Sequence, residues 1–390
     1  MPEHDSIIYV IFLIFSGAAV LATLALFARQ ALLVAYILLG IILGPHALGA
    51  VDNPALIHEI SHIGIIFLLF LMGLDLNPGR LYQMMGKTVL ITLLSSLIFA
   101  SVGFLICWSF GFSVLESLLI GAATTFSSTI LGLKLLPATA LHHQRMGEVL
   151  ISILLLQDLL AILLLVLISS SADPDNQLMN IGKLMLGLPL LIVLAYWFVQ
   201  WVILKLFSRF DLIREYVFLV AIGWCLGVAQ AATMLGASHE IGAFIAGITL
   251  AASPISLYIA ENLRPLRDFF LVLFFFAMGA GFDVSMLDQT LFPALTLALV
   301  MLIVKPGTFS ILLGKTGESA TFSRETGWRL GQLSEFALLL AILASQQGVI
   351  GSRASYVIQL ATLVSFILST YYVMLRYPTP IAISDKLRRD

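Results

Sequence analysis

Apolar runs of about 20 residues, separated by short polar connections, fill this chain from end to end. A run of that length is what an α-helix needs to cross the hydrocarbon core of a bilayer. The pattern predicts an all-α polytopic membrane protein with thirteen spans and no inserted soluble domain. The predicted spans are 6–28, 31–50, 57–76, 87–111, 114–136, 147–170, 181–207, 213–233, 238–254, 267–283, 289–313, 326–347 and 353–375.

The composition agrees with this pattern. Hydrophobic residues make up 60% of the chain and charged residues 11%, whereas a soluble domain carries about 25% charged residues. No basic run is long enough to indicate nucleic-acid binding, and no motif predicts a cofactor. Cys107 and Cys225 lie inside apolar runs, so we expect reduced packing residues rather than a disulfide framework.

Lysine and arginine are distributed unevenly between alternate connections. If the N-terminus is outside, 17 of the 20 cations lie at cytoplasmic ends, Lys183 and Arg353 lie at outer ends, and Lys305 lies within a span. Because cytoplasmic loops are enriched in lysine and arginine, we predict a multi-pass protein of the inner (plasma) membrane with its N-terminus outside and its C-terminus in the cytoplasm.

The chain also resembles itself at a long offset. The segment around Gly40 is similar to that around Gly247, and the segment around Gly73 to that around Gly281, with separations of 33 and 34 residues within the two copies. Seven spans separate corresponding spans of the two copies, so the second copy is expected to be inverted, as in many transporters. The predicted divisions are repeat one at about 6–170, a linker helix at about 181–207 and repeat two at about 213–376.

Two predicted spans contain polar residues that compete with helical hydrogen bonds. The fifth has the hydroxyl-rich run 124–129, and the twelfth has the related run 331–335. Hydroxyl groups can satisfy backbone groups that an unwound turn releases. We predict that both spans are interrupted and that they cross near the membrane midplane. The alternative is two straight helices whose hydroxyl groups serve helix packing.

Asp158 is the most informative single residue, because it lies in the middle of an otherwise apolar run. A carboxylate at the bilayer centre costs at least about 2.5 kcal/mol and by default marks an ion or proton pathway. The alternative is a carboxylate that only pairs with another helix. Burial disfavours the charged form, so one carboxylate among oxygen ligands can hold a monovalent cation or a proton, but not both well. Gln157, rather than a second carboxylate, precedes it, which disfavours a divalent ion.

The other ionisable residues near the spans are less distinctive. Lys305 is a candidate partner for Asp158, or alternatively a cation that neutralises the second break beside Pro306. The candidate ion- and proton-binding residues are Asp158, Gln157, Thr125, Ser127 and Ser128, with Lys305 as basic partner and Glu335, Ser334 and Gln332 as helix-break support. Helix-end or loop roles are expected for Asp75 and Asp283, and funnel or cap roles for His239 and Glu240. His142 and His143 lie in a cytoplasmic loop, where pH sensing is the candidate role because histidine titrates in the physiological range.

Together these features resemble the monovalent cation:proton antiporter superfamily. The residues that carry the resemblance are 40–45, 67–75, 155–158, 242–247 and 331–337, and the pair Gln157-Asp158 is similar to the bacterial glutathione-gated potassium efflux (Kef) antiporters. The resemblance implies a thirteen-helix fold, a core domain with crossed broken helices, a dimerisation domain and elevator-like alternating access. It also implies that Asp158 is the ion and proton carboxylate and Lys305 its basic partner.

The chain departs from the Kef pattern in two places. Residues 258–267 carry Arg264 and Arg267 where those proteins have an acidic cluster, and no dinucleotide-binding motif follows the last span within this sequence. Either the sequence is a piece of a longer protein or this regulation is absent, so glutathione gating is not carried over from the resemblance. We therefore predict a homodimeric antiporter that exchanges K⁺, ahead of Na⁺, for H⁺. The rivals are an organic-anion/sodium symporter on the same kind of fold and a sensor that does not transport. An intramembrane aspartyl protease would need two facing aspartates, so an enzyme is not expected.

Overall fold

A computed structural model describes residues 7–28, 30–75, 87–135, 145–169, 177–210, 213–235, 237–253 and 256–379. A π-helical turn, Val199–Ile203, joins α8 to α9, and a 3-10 turn, Val284–Met286, precedes α13. The α-helices in chain order are α1 (Ile7–Phe27), α2 (Leu32–Leu43), α3 (Pro54–Asp75), α4 (Lys87–Ser109), α5 (Val114–Ala123), α6 (Thr129–Lys134), α7 (Arg145–Ser169), α8 (Gln177–Phe198), α9 (Leu204–Phe210), α10 (Arg214–Met234), α11 (His239–Ala251), α12 (Ser256–Ala280), α13 (Leu287–Lys315), α14 (Ala320–Arg329), α15 (Glu335–Gln346) and α16 (Ser352–Arg376).

The helices agree with a polytopic membrane protein. Among the described residues, eight helices are long and apolar enough to cross a membrane, and four further apolar helices, α2, α5, α11 and α15, have 10–17 residues. The four short helices fall in the second, fifth, ninth and twelfth predicted spans. The predicted sequence repeat pairs the second span with the ninth and the fifth with the twelfth. The count of thirteen spans stays a prediction.

Several predicted bounds are wrong, for identifiable reasons. The second span was predicted to reach residue 50, but α2 ends at Leu43 because Pro45 disfavours helical backbone in the residue before it. Gly49, with φ of 61°, completes the turn that follows. In the other direction, α12 begins at Ser256 rather than 267 and α14 at Ala320 rather than 326. In both helices the part before the predicted start contains charged residues, Glu261 and Arg264 in α12 and Arg324 and Glu325 in α14, which an apolar-run criterion rejects.

The chain divides into two compact units. The first comprises Met1–Ala19, Tyr36–Gln83 and Leu165–Phe282, and the second comprises Val20–Ala35, Met84–Leu164 and Asp283–Asp390. Each unit therefore combines segments from the first and the second half of the sequence. Cys107 and Cys225 are buried and free, as predicted.

Close glycine contacts hold the first unit together, where α3 packs along α11 and α12. A Cβ atom at Gly40 in α2 would collide with the carbonyl oxygen of Phe276, and one at Gly279 would collide with that of Ile37. Helices approach this closely only where no side chain separates their backbones.

The same arrangement recurs between α3 and α11. A Cβ atom at Gly73 would meet Phe244 O, and one at Gly247 would meet Phe70 O. The contacts therefore pair Gly40 with Gly279 and Gly73 with Gly247. The sequence comparison pairs Gly73 with Gly281, and the two-repeat arrangement stays a prediction.

In the second unit, the long helix α13 packs against α4, α14 and α16. Its apolar side is covered by a buried cluster of aliphatic and aromatic side chains. Within that cluster, Phe309 of α13 and Phe99 of α4 meet edge to face, with ring centroids 5.3 Å apart. This packing fixes the helix that carries Lys305 and Pro306.

We predict that Gly279→Ala lowers the free energy of unfolding by about 2 kcal/mol, because the new methyl group overpacks a backbone contact. The control is Gly223→Ala in α10, where an added Cβ meets nothing within 4 Å. There the better helix propensity of alanine should leave stability unchanged or raise it by up to about 1 kcal/mol. Unfolding of both variants in detergent solution provides the measurement, and equal effects would contradict the assigned contact.

Candidate functional site

The first predicted break is present, between α5 and α6. Helix α5 ends at Ala123, where the single hydroxyl proton of Thr124 is shared between Gly121 O, 2.6 Å from Oγ1, and Phe99 O, 3.0 Å from it. Thr125 Oγ1 donates to Ala122 O at 2.7 Å. These hydroxyl groups therefore occupy carbonyl oxygens at the helix end, as expected for hydroxyl residues at an unwound turn.

The second predicted break is also present, between α14 and α15. Helix α14 ends at Arg329, and α15 begins at Glu335, where the side chain of Ser334 caps the helix by accepting a hydrogen bond from Phe336 N at 3.1 Å. In the break itself, Leu333 N donates to Ser365 Oγ of α16 at 3.0 Å. Both interrupted spans were predicted from the sequence, and the straight-helix alternative is wrong.

The two breaks contact each other directly. Ser127 Oγ donates a hydrogen bond to Leu330 O at 2.8 Å, and Gln332 Nε2 donates to Ser128 O (3.4 Å) and Arg329 O (2.9 Å). We call segments 124–128 and 330–334, with the contacts between them, the junction. Its backbone is buried, so each carbonyl oxygen that leaves a helix needs another donor.

Lys305 supplies three such hydrogen bonds. Its ammonium group donates to Phe126 O (2.6 Å), Gln332 O (3.0 Å) and Thr124 O (3.2 Å), and its side chain is completely buried. An ammonium group has three donors, so these carbonyls, drawn from both breaks, use all of them. The geometry favours the alternative in which Lys305 neutralises the breaks. Its role as basic partner of Asp158 stays a prediction.

Asp158 lies on α7 and is 5% exposed. Thr129 Oγ1, at the first residue of α6, lies 3.2 Å and 3.4 Å from the two carboxylate oxygens and donates to the carboxylate. Thr129 was not among the predicted site residues, although it closes the hydroxyl-rich run that located the break. The spacing of about 30 residues between that run and Asp158 was the available signal.

Gln157 connects α7 to the junction. Its Oε1 accepts a hydrogen bond from Ser127 N at 2.9 Å, so the residue before Asp158 is held against the first break. Its buried Nε2 makes no hydrogen bond to the described residues. This arrangement leaves both N–H donors of the Gln157 amide without a partner among the described residues, next to Asp158 in sequence.

The remaining predicted site residues occupy distinct positions. Ser128 Oγ accepts from Leu131 N at 3.1 Å and so caps the start of α6, whereas the Thr125 hydroxyl faces its own helix end. Glu335 is buried in the first turn of α15, where a negative charge is favoured by the helix dipole. The structure thus joins Gln157, Ser127, Ser128, Gln332 and Lys305 into one hydrogen-bonded junction.

Two other sequence expectations can be located. Asp283 has the expected helix-end role, because its side chain accepts from Ser285 N at 2.9 Å at the start of the 3-10 turn. In the first unit, the buried Glu240 is paired with His62 Nε2 at 3.0 Å. Sequence reasoning had not singled out His62. The side chain of Asp75 and residues His142 and His143 lie outside the described part of the structure.

Comparison with known proteins gives the family. Residues 11–374 match the family described as sodium/hydrogen exchanger, transmembrane. The chain belongs to this family. The match confirms the resemblance to cation:proton antiporters that the sequence motifs indicated, and it covers both breaks, Asp158 and Lys305.

Individual relatives of this chain carry different cations in their names. The chain is 29% identical over 350 residues to the putative K(+) efflux antiporter KefB of Alkalimonas amylolytica, which covers 87% of this chain and 52% of that protein. It is 25% identical over 348 residues to the iron transporter MagA of Paramagnetospirillum magneticum, covering 88% of this chain and 80% of that one. The chain therefore spans only about half the length of the first of these relatives.

A solved structure shows the same fold. The sodium proton antiporter MjNhaP1 from Methanocaldococcus jannaschii, determined at pH 8, has a TM-score of 0.67 with this chain, with 18% sequence identity over 94% of this chain and 96% of that one. At this identity the likeness concerns the fold, and substrate has to be argued from the site.

We predict that Lys305→Met lowers the free energy of unfolding by about 3 kcal/mol, because three buried carbonyl oxygens lose a charged donor. Lys315→Met is the matched control, since Lys315 is exposed in the last turn of the same helix. Thermal unfolding in detergent checks both variants. An unchanged melting temperature for Lys305→Met would contradict the structural role of the ammonium group.

Proposed function

We propose that this chain is a secondary antiporter that exchanges a monovalent cation for a proton by alternating access, with both ions competing for Asp158. The observation that carries the proposal is the position of this carboxylate. It is buried, bonded by the Thr129 hydroxyl, and adjacent in sequence to the glutamine that binds the first break.

The chemistry of this position suits competition. Carboxylate and hydroxyl oxygens, as at Asp158 and Thr129, are ligands that suit a hard monovalent cation. The same burial that disfavours the free charge favours a bound proton when the cation leaves. One group that holds either ion, exposed alternately to the two sides, is sufficient for exchange.

Potassium is the proposed cation ahead of sodium. The support is the Gln157-Asp158 pair and the similarity to a protein named as a K(+) efflux antiporter, which spans most of this chain. Sodium is the alternative, supported by the family description and by the fold shared with a sodium proton antiporter. An organic-anion/sodium symporter on the same kind of fold is the second alternative.

We further propose the architecture inferred from the sequence. Two inverted repeats, at about 6–170 and 213–376, are joined by a linker helix at about 181–207, and two copies of the chain form a homodimer in the inner (plasma) membrane. The reciprocal glycine contacts, Gly40 with Gly279 and Gly73 with Gly247, support the repeat. The bias of lysine and arginine supports an outer N-terminus and a cytoplasmic C-terminus.

We predict that Asp158→Asn abolishes cation-driven proton movement, because asparagine keeps the volume but can neither bind a proton nor compensate a cation. Proton flux in proteoliposomes would be followed with a pH-sensitive dye while K⁺, Na⁺, Rb⁺ or Li⁺ is added at several pH values. Asp288→Asn, at an exposed position in the first turn of α13, is the control and should keep wild-type rates. Full exchange by a folded Asp158→Asn protein would disprove the proposal.

Thr129→Val tests the hydroxyl that contacts the carboxylate. Loss of a hydrogen bond worth about 1.4 kcal/mol disfavours the charged form, so the proton competes better. The apparent KM for K⁺ should rise about tenfold, and the active range should move to higher pH. Thr296→Val in α13 is the control, because that hydroxyl donates only to Phe292 O of its own helix. A shift to lower pH would contradict this assignment.

A further inference from the structure

Among the described residues, Arg329 has the largest fully buried side chain. The positive-inside count placed it at a cytoplasmic helix end, where an arginine usually reaches water. The structure instead leaves it 2% exposed at the last residue of α14, one position before the second break. A buried guanidinium group is costly unless its donors are satisfied, so its partners indicate what it does.

The guanidinium group joins three separate parts of the second unit. Nη1 donates to Leu135 O at 2.7 Å, and Nη2 donates to Pro378 O at 2.7 Å. Nε and Nη2 also donate to Glu325 Oε1, at 3.0 Å and 2.7 Å, one helical turn earlier in α14. The planar arrangement of five donors lets one arginine serve several acceptors at fixed angles, which a lysine does not reproduce.

Two of these parts are the ends of half-helices. Leu135 follows directly on α6, whose N-terminal Thr129 contacts Asp158, and Arg329 closes α14. The last carbonyl groups of a helix lack partners within it. A buried cation that binds the end of one half-helix from the end of the other therefore fixes the distance between them.

The third part is the segment after α16. Tyr377 belongs to a buried cluster with Leu135, Val373 and Met374, so Pro378 O is presented to Arg329 by packed side chains. The contact is thus built on three sides, by α6, by α14 and by the segment that follows the last helix.

The main chain of Arg329 continues the connection into the junction. Arg329 O accepts from Gln332 Nε2 at 2.9 Å, and the next carbonyl, Leu330 O, accepts from Ser127 Oγ at 2.8 Å. Ser127 N in turn donates to Gln157. A displacement of Arg329 would be transmitted to both breaks and to the residue before Asp158.

We propose that Arg329 is a positioning residue for exchange: held by Glu325, it sets the alignment of α6 and α14 and thereby the geometry of the cation site at Asp158. This inference rests on the proposed antiport function. It assigns no contact between Arg329 and the cation. Outer-shell residues of this kind typically change ion affinity by about 10–100-fold when altered.

The test compares Arg329→Lys with Arg353→Lys in proteoliposomes, with K⁺ as the added cation. Arg353 is a suitable control, because it also reaches a carbonyl, Phe110 O, and packs over an aromatic ring, Phe112, but lies at the start of α16. Arg329→Lys should raise the apparent KM for K⁺ about tenfold and leave the maximal rate per folded protein within about twofold. Arg353→Lys should leave both unchanged.

A residue that only stabilises the fold would lower the amount of active protein, and so the maximal rate, without changing KM. An unchanged KM in Arg329→Lys would therefore overturn the inference. If that variant does not fold, the double variant Arg329→Gln, Glu325→Gln removes both charges of the buried pair together, and its KM decides in the same way. Absence of K⁺ or Na⁺ exchange by the wild-type protein would instead overturn the proposed function, and this inference with it.

Discussion

Unwound backbone inside a buried region is the constraint on which the second unit depends. Two predicted spans are interrupted, between α5 and α6 and between α14 and α15. The carbonyl groups released at these breaks need hydrogen-bond donors other than water. Lys305 supplies three donors at once and draws them from both breaks. Ser127 and Gln332 supply two further donors, to Leu330 O and Ser128 O, through direct contacts between the breaks. A lysine inside an apolar helix is thus explained by what it binds.

The junction also explains how a single carboxylate can be held at a defined place. Asp158 is positioned by its neighbour Gln157, which accepts from Ser127 N, and by Thr129, the first residue after the break. Both contacts come from the segment that the hydroxyl residues unwind. Rigid positioning by secondary contacts is what selective ion binding requires. Arg329 holds the other end of α6, because it donates a hydrogen bond to Leu135 O directly after that helix.

In the first unit the closest helix contacts are made through glycine. Its helices approach through glycine, so that backbone meets backbone at Gly40 with Gly279 and at Gly73 with Gly247. The buried pair of Glu240 with His62 adds one polar link between α3 and α11. Close glycine contacts also occur in the second unit, where a Cβ atom at Gly121 would meet Ala100 O and one at Gly327 would meet Pro306 O, in addition to the hydrogen bonds of the interrupted helices.

The sequence by itself determined the membrane class, the family and the two interrupted spans, because apolar length and hydroxyl clusters act locally on each helix. It also singled out Asp158 and Lys305, since an ionisable residue in an apolar run is conspicuous without any structure. The partners of these residues were decided only by tertiary structure. Lys305 and Phe126 are 179 positions apart, and Ser127 and Leu330 are 203 apart. The glycine contacts, the hydrogen bond from Thr129 to Asp158 and the burial of Arg329 depend on which helix surfaces meet. The order of residues along the chain does not show which surfaces those are.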